Sequence, residues 1–525
     1  MDRILVTEPI AEEGLAALRA AAEVDVRTDL STDRAGLLEA LPAYDALVVR
    51  SGTKVTAEVL AAGTRLRVVG RAGTGVDNID VDAATERGIV VVNAPASNSV
   101  AVAELTIGFI LALARHLPQA HISLQSGKWE RSAFMGSEVR GKTLGLIGLG
   151  RIGGEVARRA RGLEMSVLAY DPVVSTERAA QLGVTPVSLD ELLERSDYVS
   201  LHVPLTDASR YLINAERLAR MKPTAYLINA ARGGLVDEQA LAAALERRQI
   251  AGAALDVFER EPPTGSPLLG HPRVITVPHL GASTAEAQTL TGVDVAEGVL
   301  TALAGGTPRY AVNAPVVPPE EWSVLAPYMA LARKLGALCT GLVQAPVRHY
   351  EIEYRGELAY VKTEPLRLAI LQGLLTGLCE QRVTPVNAPL LARERGLKYR
   401  EQTGESESYA GLLVLRAVTA DGPREFAGAI LRGEPHIVTA DGFMVTFVPS
   451  GPLLFTYHRD RPGMIGRVGT LLGAADVNIS SMDVGRLAPR EQAMMVLRLD
   501  DPLPPEVLAQ VAAEPDIERA ATLVL

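Results

Sequence analysis

Four short segments carry residues whose types and spacing could do chemistry together. Gly148-Leu149-Gly150-Arg151-Ile152-Gly153 is a GxGxxG turn, and Asn229 to Gly234 holds Arg232. Asp256 to Pro262 holds Asp256, Glu259 and Glu261, and Pro278 to Thr284 holds His279. Each follows an apolar run, the place where an open parallel sheet presents its ligand-binding groups. An arginine, a carboxylate and a histidine at three strand ends form the set that oxidation of a 2-hydroxy acid needs. A base takes the hydroxyl proton, a cation holds the substrate carboxylate, and a second carboxylate tunes the base. Taken singly, the histidine reads as structural and the glutamates as loop charges; the joint placement carries the argument.

The glycine turn gains meaning from its surroundings. The apolar strand Leu144–Ile147 precedes it, a helix over Glu155–Arg161 follows, and the next strand ends in Tyr170-Asp171. Gly148 serves the turn, Gly150 the close approach of a pyrophosphate, and Gly153 helix–strand packing, while the helix N-terminus offers unpaired N–H groups. Asp171 would accept hydrogen bonds from the ribose hydroxyls and repel a 2′-phosphate, so the expected cofactor is NAD rather than NADP.

The elements that must position these residues alternate as α/β up to about residue 300. Strands are expected at Ile4–Val6, Ala46–Val49, Arg67–Val69 and Ile89–Val92, with helices at Glu12–Ala22 and Ala57–Ala62. A long buried helix runs from Ser99 to Leu117, ended by Pro118. Six further strands follow at Thr143–Ile147, Val167–Tyr170, Tyr198–Val203, Tyr226–Asn229, Ala253–Val257 and Val274–Val277. Pro/Gly-rich breaks at 305–308, 315–319 and 449–452 mark boundaries. The organisation predicted is a substrate-binding domain over 1–98 and 283–315 and a dinucleotide-binding domain over 99–282. An α/β intervening domain over 316–450 and a βαββαβ tail over 452–525 complete it.

Composition narrows the function. With 52 basic against 62 acidic residues, a net charge of −10 and only 4% aromatics, the 525-residue chain lacks the positive footprint of a nucleic-acid or membrane-surface binder. Cys339 and Cys379 form no CxxC pair and no zinc-ligand set, so no metal is expected and both read as thiols in a reducing cytoplasm. The N-terminus reads as a strand rather than a signal peptide, and the longest nearly apolar run, between Glu104 and Arg115, is too short to span a bilayer. A cytoplasmic protein is expected.

Arg71-Ala72-Gly73-Thr74-Gly75-Val76-Asp77-Asn78, Gly127 to Arg131 and Pro278 to Thr284, with the strand-end segments above, resemble the D-isomer-specific 2-hydroxyacid dehydrogenases. Within them they are most similar to the phosphoglycerate dehydrogenases, over residues 1 to 315. The resemblance implies a doubly wound NAD domain inserted in a flavodoxin-like substrate domain. It implies that Arg232 holds the substrate carboxylate, that His279 is the acid/base, and that Glu261, not its neighbour Glu259, pairs with the histidine. Asp256 and the Ala230 backbone would meet the nicotinamide carboxamide. Thr74, Arg151, Ile152, Val203, Ala231, Leu280, Gly281 and Ala282 would complete the cofactor site. Arg50-Ser51 and Arg71, each after an apolar strand, are the candidates to hold the anionic substrate, with Gly73 and Asn98 nearby in the substrate site by the resemblance; the guanidinium fork suits a phosphate.

In the tail, His458 to Gly466 precedes a helix and Asp476 to Ile479 follows it, which resembles an ACT domain with Gly463 as its signature glycine. That implies pairing through edge strands and an L-serine effector held by His458, Asp460 and Asn478, grouped around one strand–helix junction and the next strand. The activity implied is NAD-dependent oxidation of D-3-phosphoglycerate to 3-phosphohydroxypyruvate, opening L-serine biosynthesis, in a homotetramer. Two rivals are a glycerate or hydroxypyruvate reductase and an NAD-sensing corepressor-like binding protein.

Overall fold

The computed structural model describes every residue except 316 and 318, so two positions of the Pro-rich boundary lie outside the described residues. The first sheet is five-stranded and parallel, with Arg3–Val6 flanked by Glu23–Val26 and Ala46–Val49, then Val68–Arg71 and Val90–Val92. Ile4, Leu5, Leu47, Val48 and Val69 are wholly buried, as strands covered on both faces must be. The chain leaves this sheet through the helix Ser99–Arg115 and returns through Ala285–Leu303, whose Val295, Ala296 and Val299 pack on Ile4, Val6 and Val68. Gly14 and Gly292 let two helices touch: a Cβ on Gly14 would meet the Gly292 carbonyl carbon at 2.6 Å.

Between those two helices lies a seven-stranded parallel sheet. Thr143–Ile147 is flanked on one side by Ser166–Tyr170 and Thr185–Pro186, and on the other by Tyr198–Leu201, Tyr226–Asn229, Gly252–Leu255 and Val274–Thr276. The order reverses at Thr143–Ile147, the switch point of a doubly wound fold, and places the glycine turn in the crevice. Pro118 does not end a helix as the sequence suggested. The break falls at His116, in the left-handed region with φ 51°, and Pro118 sits in the first turn of a second helix, Leu117–Gln125. Proline is tolerated there because its missing N–H would be unpaired anyway.

The remaining chain forms two sheets with a common core. A six-stranded mixed sheet over Val347–Phe447 carries the helices Pro319–Leu342 and Glu364–Leu375. The tail is a four-stranded antiparallel sheet in the order Ile479–Arg486, Gln492–Leu499, Pro452–Arg459, Ile517–Val524. Leu454, Met495 and Leu497 face its own helices Met464–Ala474 and Pro505–Ala512. Leu453, Phe455, Met494 and Val496 point the other way, into one cluster with Leu331, Leu338, Phe426 and Ile437. The tail sheet is therefore covered on both faces. At Gly485 the approach is so close that a Cβ would collide with the Met444 carbonyl oxygen.

Candidate active site

The carboxyl ends of both parallel sheets face one cleft. On the dinucleotide side, Gly148 adopts φ 99°, which glycine alone enters freely, and a Cβ there would strike the His202 carbonyl oxygen. A Cβ on Gly153 would collide with the Gly148 oxygen, whereas one on Gly150 would meet nothing within 4 Å. Gly150 is the residue before the helix Arg151–Gly162, whose N-terminus has no side-chain cap. Open space over uncapped N–H groups suits a pyrophosphate. Asp171, just past its strand, accepts from the Leu149 N–H at 2.8 Å and the Val173 N–H at 2.9 Å, so its carboxylate stands beside the turn.

From this turn a cavity of about 370 Å³ runs toward the sheet ends, lined by Thr74, Asn98, Ile152, Val203, Ala230 and Ala231 and closed by Arg232, Asp256, His279, Gly281 and Ala282. His202, which no motif in the sequence marked, lines it too. Burial pushes its pKa down to about 4, keeping the imidazole neutral, with Nε2 at 2.9 Å from the Ser200 hydroxyl. These residues fit a dinucleotide. Arg151 is less engaged: its guanidinium lies 5.9 Å from the Tyr310 ring centroid. Leu280 is exposed beside the cleft.

A second cavity, of about 640 Å³, opens on the other side of His279 and is lined by Ser51, Gly52, Lys54, Arg71, Asn78 and Glu261. His279 lines both cavities and stands where a hydride donor and its acceptor would meet. Its Nδ1 lies 2.7 Å from Glu261 Oε2, while Glu261 Oε1 accepts from the Phe258 N–H at 3.2 Å. Glu259 faces away: it accepts from the Glu238 N–H at 2.9 Å and the Tyr211 hydroxyl at 3.1 Å. His279 has φ 54°, a conformation costly for a side chain with a Cβ. Asp256 holds it there. Its carbonyl accepts from the His279 N–H at 2.9 Å, and its carboxylate accepts from Leu280 N at 2.5 Å and Gly281 N at 2.8 Å. Burial raises the Asp256 carboxyl and those two donors oppose the rise. Asp256 thus shapes the histidine turn as well as lining the cofactor cavity.

The cations that line the two cavities near His279 are Arg232, Arg71 and Lys54. Arg232 Nε lies 3.5 Å from an exposed Asp77 carboxylate. Burial, then the charge of Arg232, lowers the Arg71 guanidinium, while Asp77 and Glu8 oppose the fall. A Cβ on Gly73 would strike Arg71 Nη1; the glycine leaves room for that guanidinium. Asn98 accepts from the Thr74 hydroxyl at 2.9 Å. Arg50 departs from expectation. Its side chain leans on the Pro9 carbonyl at 3.4 Å and is not among the residues lining the cavity, whereas Lys54 is. The cause is Glu8, whose carboxylate accepts from the N–H groups of Arg50 at 2.8 Å, Gly52 at 2.9 Å and Thr53 at 2.9 Å and so fixes the Arg50–Lys54 loop. Glu8 lies just past the first strand and obeys the same strand-end rule that singled out Arg232 and His279.

The tail residues are not grouped as the sequence suggested. His458 is buried opposite Ala493, and Asp460 accepts from Arg490 N at 3.0 Å and Arg486 Nη1 at 3.2 Å. Asn478 donates to Asp500 at 2.6 Å, next to the Ile479–Leu499 pairing. Ala493 and Leu499 are at opposite ends of one strand, so Asn478 lies about 20 Å from His458. The crossover helix carries the chain back along the sheet before the next strand begins.

Similar proteins agree over the whole chain. Residues 107–281 match the NAD binding domain of the D-isomer specific 2-hydroxyacid dehydrogenases, 324–441 the D-3-phosphoglycerate dehydrogenase intervening domain, and 453–516 the ACT domain. A D-3-phosphoglycerate dehydrogenase of Synechocystis is 46% identical over 100% of this chain and 95% of its own. One from Methanocaldococcus jannaschii is 45% identical over 100% of both. Among solved structures, a D-lactate dehydrogenase from Aquifex aeolicus, complexed with NAD and lactic acid, superposes with a TM-score of 0.54 at 31% identity, covering 60% of this chain and 100% of that one. The chain belongs to the D-3-phosphoglycerate dehydrogenases, oxidoreductases with a D-2-hydroxyacid dehydrogenase NAD-binding domain, in the form that also carries an intervening domain and an ACT domain.

Proposed function

We propose that this cleft oxidises D-3-phosphoglycerate at C2 to 3-phosphohydroxypyruvate. The observation that carries the proposal is the place of His279, bonded to Glu261 at 2.7 Å and shared by two cavities. With Nδ1 turned to the carboxylate, Nε2 is free to take the C2 hydroxyl proton, and Glu261 stabilises the imidazolium that results. Arg232 holds the substrate carboxylate; Arg71 and Lys54 hold the phosphate. The Gly148–Gly153 turn and Asp171 would hold NAD, which would supply the hydride acceptor. Asp256 keeps the His279 turn in place. The cations also favour a phosphorylated substrate over glycerate, separating this reading from the reductase rival. Following NADH formation with 3-phosphoglycerate, D-glycerate and D-lactate tests it: the phosphorylated acid should be preferred by a large factor in kcat/KM, and equal rates would overturn it.

The same reading extends to domains, assembly and control. The substrate domain is assigned to 1–98 and 283–315, the NAD domain to 99–282, the intervening domain to 316–450 and the ACT domain to 452–525. The helix Leu117–Gln125 has no buried residue and, with Trp129, exposes Leu117, Ile122 and Leu124, the kind of face a second copy covers in a homotetramer. L-serine would bind between tails. The strand Ile479–Arg486 is a sheet edge, and a two-fold axis beside it would bring Asn478 of one protomer to the His458 end of the other. Among the described residues no single helix is long and apolar enough to cross a membrane, consistent with work in the cytoplasm.

A further inference from the structure

A third cavity, of about 610 Å³, lies at the amino end of the first sheet's strands, the end opposite the catalytic cleft, on the seam between the first sheet's domain and the 320–440 region. Its lining includes three arginines: Arg67 before the strand Val68–Arg71, Arg333 on the helix Pro319–Leu342, and Arg382 in the loop before the helix Ala388–Glu394. No aspartate or glutamate is among the lining residues, although the chain as a whole is acidic by 10 charges. Arg67 is spoken for. It bridges Asp2 at 3.1 Å and the Leu303 carbonyl. Arg333 and Arg382 make no ion pair among the described residues. Burial, then repulsion from Arg67, lowers the Arg382 guanidinium, and Asp45, whose charge opposes the fall, already accepts from Arg65 at 3.1 Å and from Arg3 N at 2.9 Å. The Thr384 hydroxyl ties the two sides of the seam by donating to the Gly88 carbonyl at 3.2 Å, and within the 320–440 region Gln372 Nε2 donates to the Val383 carbonyl at 3.1 Å.

Like charges gathered on both sides of a seam repel across it unless something negative sits between them. We infer that this cavity binds a small multivalent anion of the phosphate class, held by Arg333 and Arg382 with Arg67 on the same lining, and joins the two domains. The inference stands apart from the catalytic reading, because its test counts bound phosphate and not turnover. In a full-length Arg71→Gln, Lys54→Gln background, where the catalytic cleft is weakened, equilibrium dialysis with radiolabelled inorganic phosphate at low ionic strength should still find one phosphate per chain. Adding Arg333→Gln and Arg382→Gln should weaken it by about tenfold or more, since both charge-assisted forks are lost. Restoring charge with Arg382→Lys should recover part of it, which separates charge loss from misfolding. No bound phosphate in the background, or binding unchanged by the arginine substitutions, overturns the site. Unlabelled 3-phosphoglycerate that displaces the label supports the site as one for a phosphorylated metabolite, and failure to displace supports it as one for the free ion.

Discussion

The catalytic cleft was read from polar groups at strand ends and the tail's effector residues from a family resemblance; the first set converges within one chain and the second does not. In the two parallel sheets every strand ends at the same edge, so Arg71, Arg232, Asp256 and His279, from four strands, face one cleft. In the tail, His458 and Asp460 end one strand and Asn478 begins the next parallel to it, so the crossover helix parts them by the length of the sheet. Strand ends that share a polarity converge; an end and a beginning do not. A site built from the second kind needs a second chain.

The self-sufficient side of that contrast meets its strongest test at His279. His279→Ala should lower kcat by roughly a hundredfold or more with KM for NAD little changed. Retained turnover would mean the cleft is assembled around some other base. Glu261→Gln should lower kcat by less than His279→Ala does, because the imidazolium formed in the reaction loses its counter-charge at 2.7 Å; an equal loss from Glu259→Gln would contradict the geometry.

A smaller effect is expected at the cation that expectation overlooked. Lys54→Met should raise KM for 3-phosphoglycerate by about tenfold, as for loss of a charge-assisted bond, and leave KM for NAD unchanged. Arg50→Met should do less, since its side chain turns to Pro9. A larger effect at Arg50 than at Lys54 would reverse the assignment.

What could be read from the sequence divides along the same line. The strands, the glycine turn and the strand-end places of Arg232 and His279 were legible because hydrophobic runs and strand-end polar residues follow local rules, whereas the choice of Glu261 over Glu259 came only from the family resemblance. Lys54 and Arg50 were not distinguishable, for the difference lies in a loop fixed by Glu8 across more than 40 residues. Pro118 misled because a proline that ends one helix and one that begins another look alike in sequence. The common core of tail and intervening region was also hidden: Leu453, Phe455, Met494 and Val496 alternate correctly for a sheet with one face on its own helices, and nothing local says what covers the other. Cutting the chain near Gly451 would expose that face, so point substitutions are the sounder probes of the tail.

Such substitutions sharpen the contrast. His458→Ala and Asn478→Ala should each abolish serine inhibition while leaving turnover in place. If the site is shared between chains, mixing the two variants and allowing subunits to exchange regenerates one intact site in each mixed dimer, and part of the sensitivity returns. No recovery after verified exchange would place both residues in one chain's site, against the separation of about 20 Å.

The smallest effect belongs to Glu8, the hidden support of the cleft. Burial alone would raise its carboxyl, but the N–H groups of Thr53, Gly52 and Arg50 outweigh burial and leave it below its ordinary value of 4.5. A carboxyl depressed on folding stabilises the protein above the unfolded value, and that contribution is lost as pH falls through the folded one. Glu8→Gln keeps the shape but not the charge. Its melting temperature should fall short of the unsubstituted protein's most near neutral pH, and the gap should narrow once pH drops below about 4.5, the carboxyl's ordinary value. KM for 3-phosphoglycerate should rise by a small factor as the Arg50–Lys54 loop loosens, with KM for NAD unmoved, because the dinucleotide turn makes no contact with this loop's carboxylate. Thermal melts across pH decide the matter: a gap of constant size would show that Glu8 acts through packing and not through its charge.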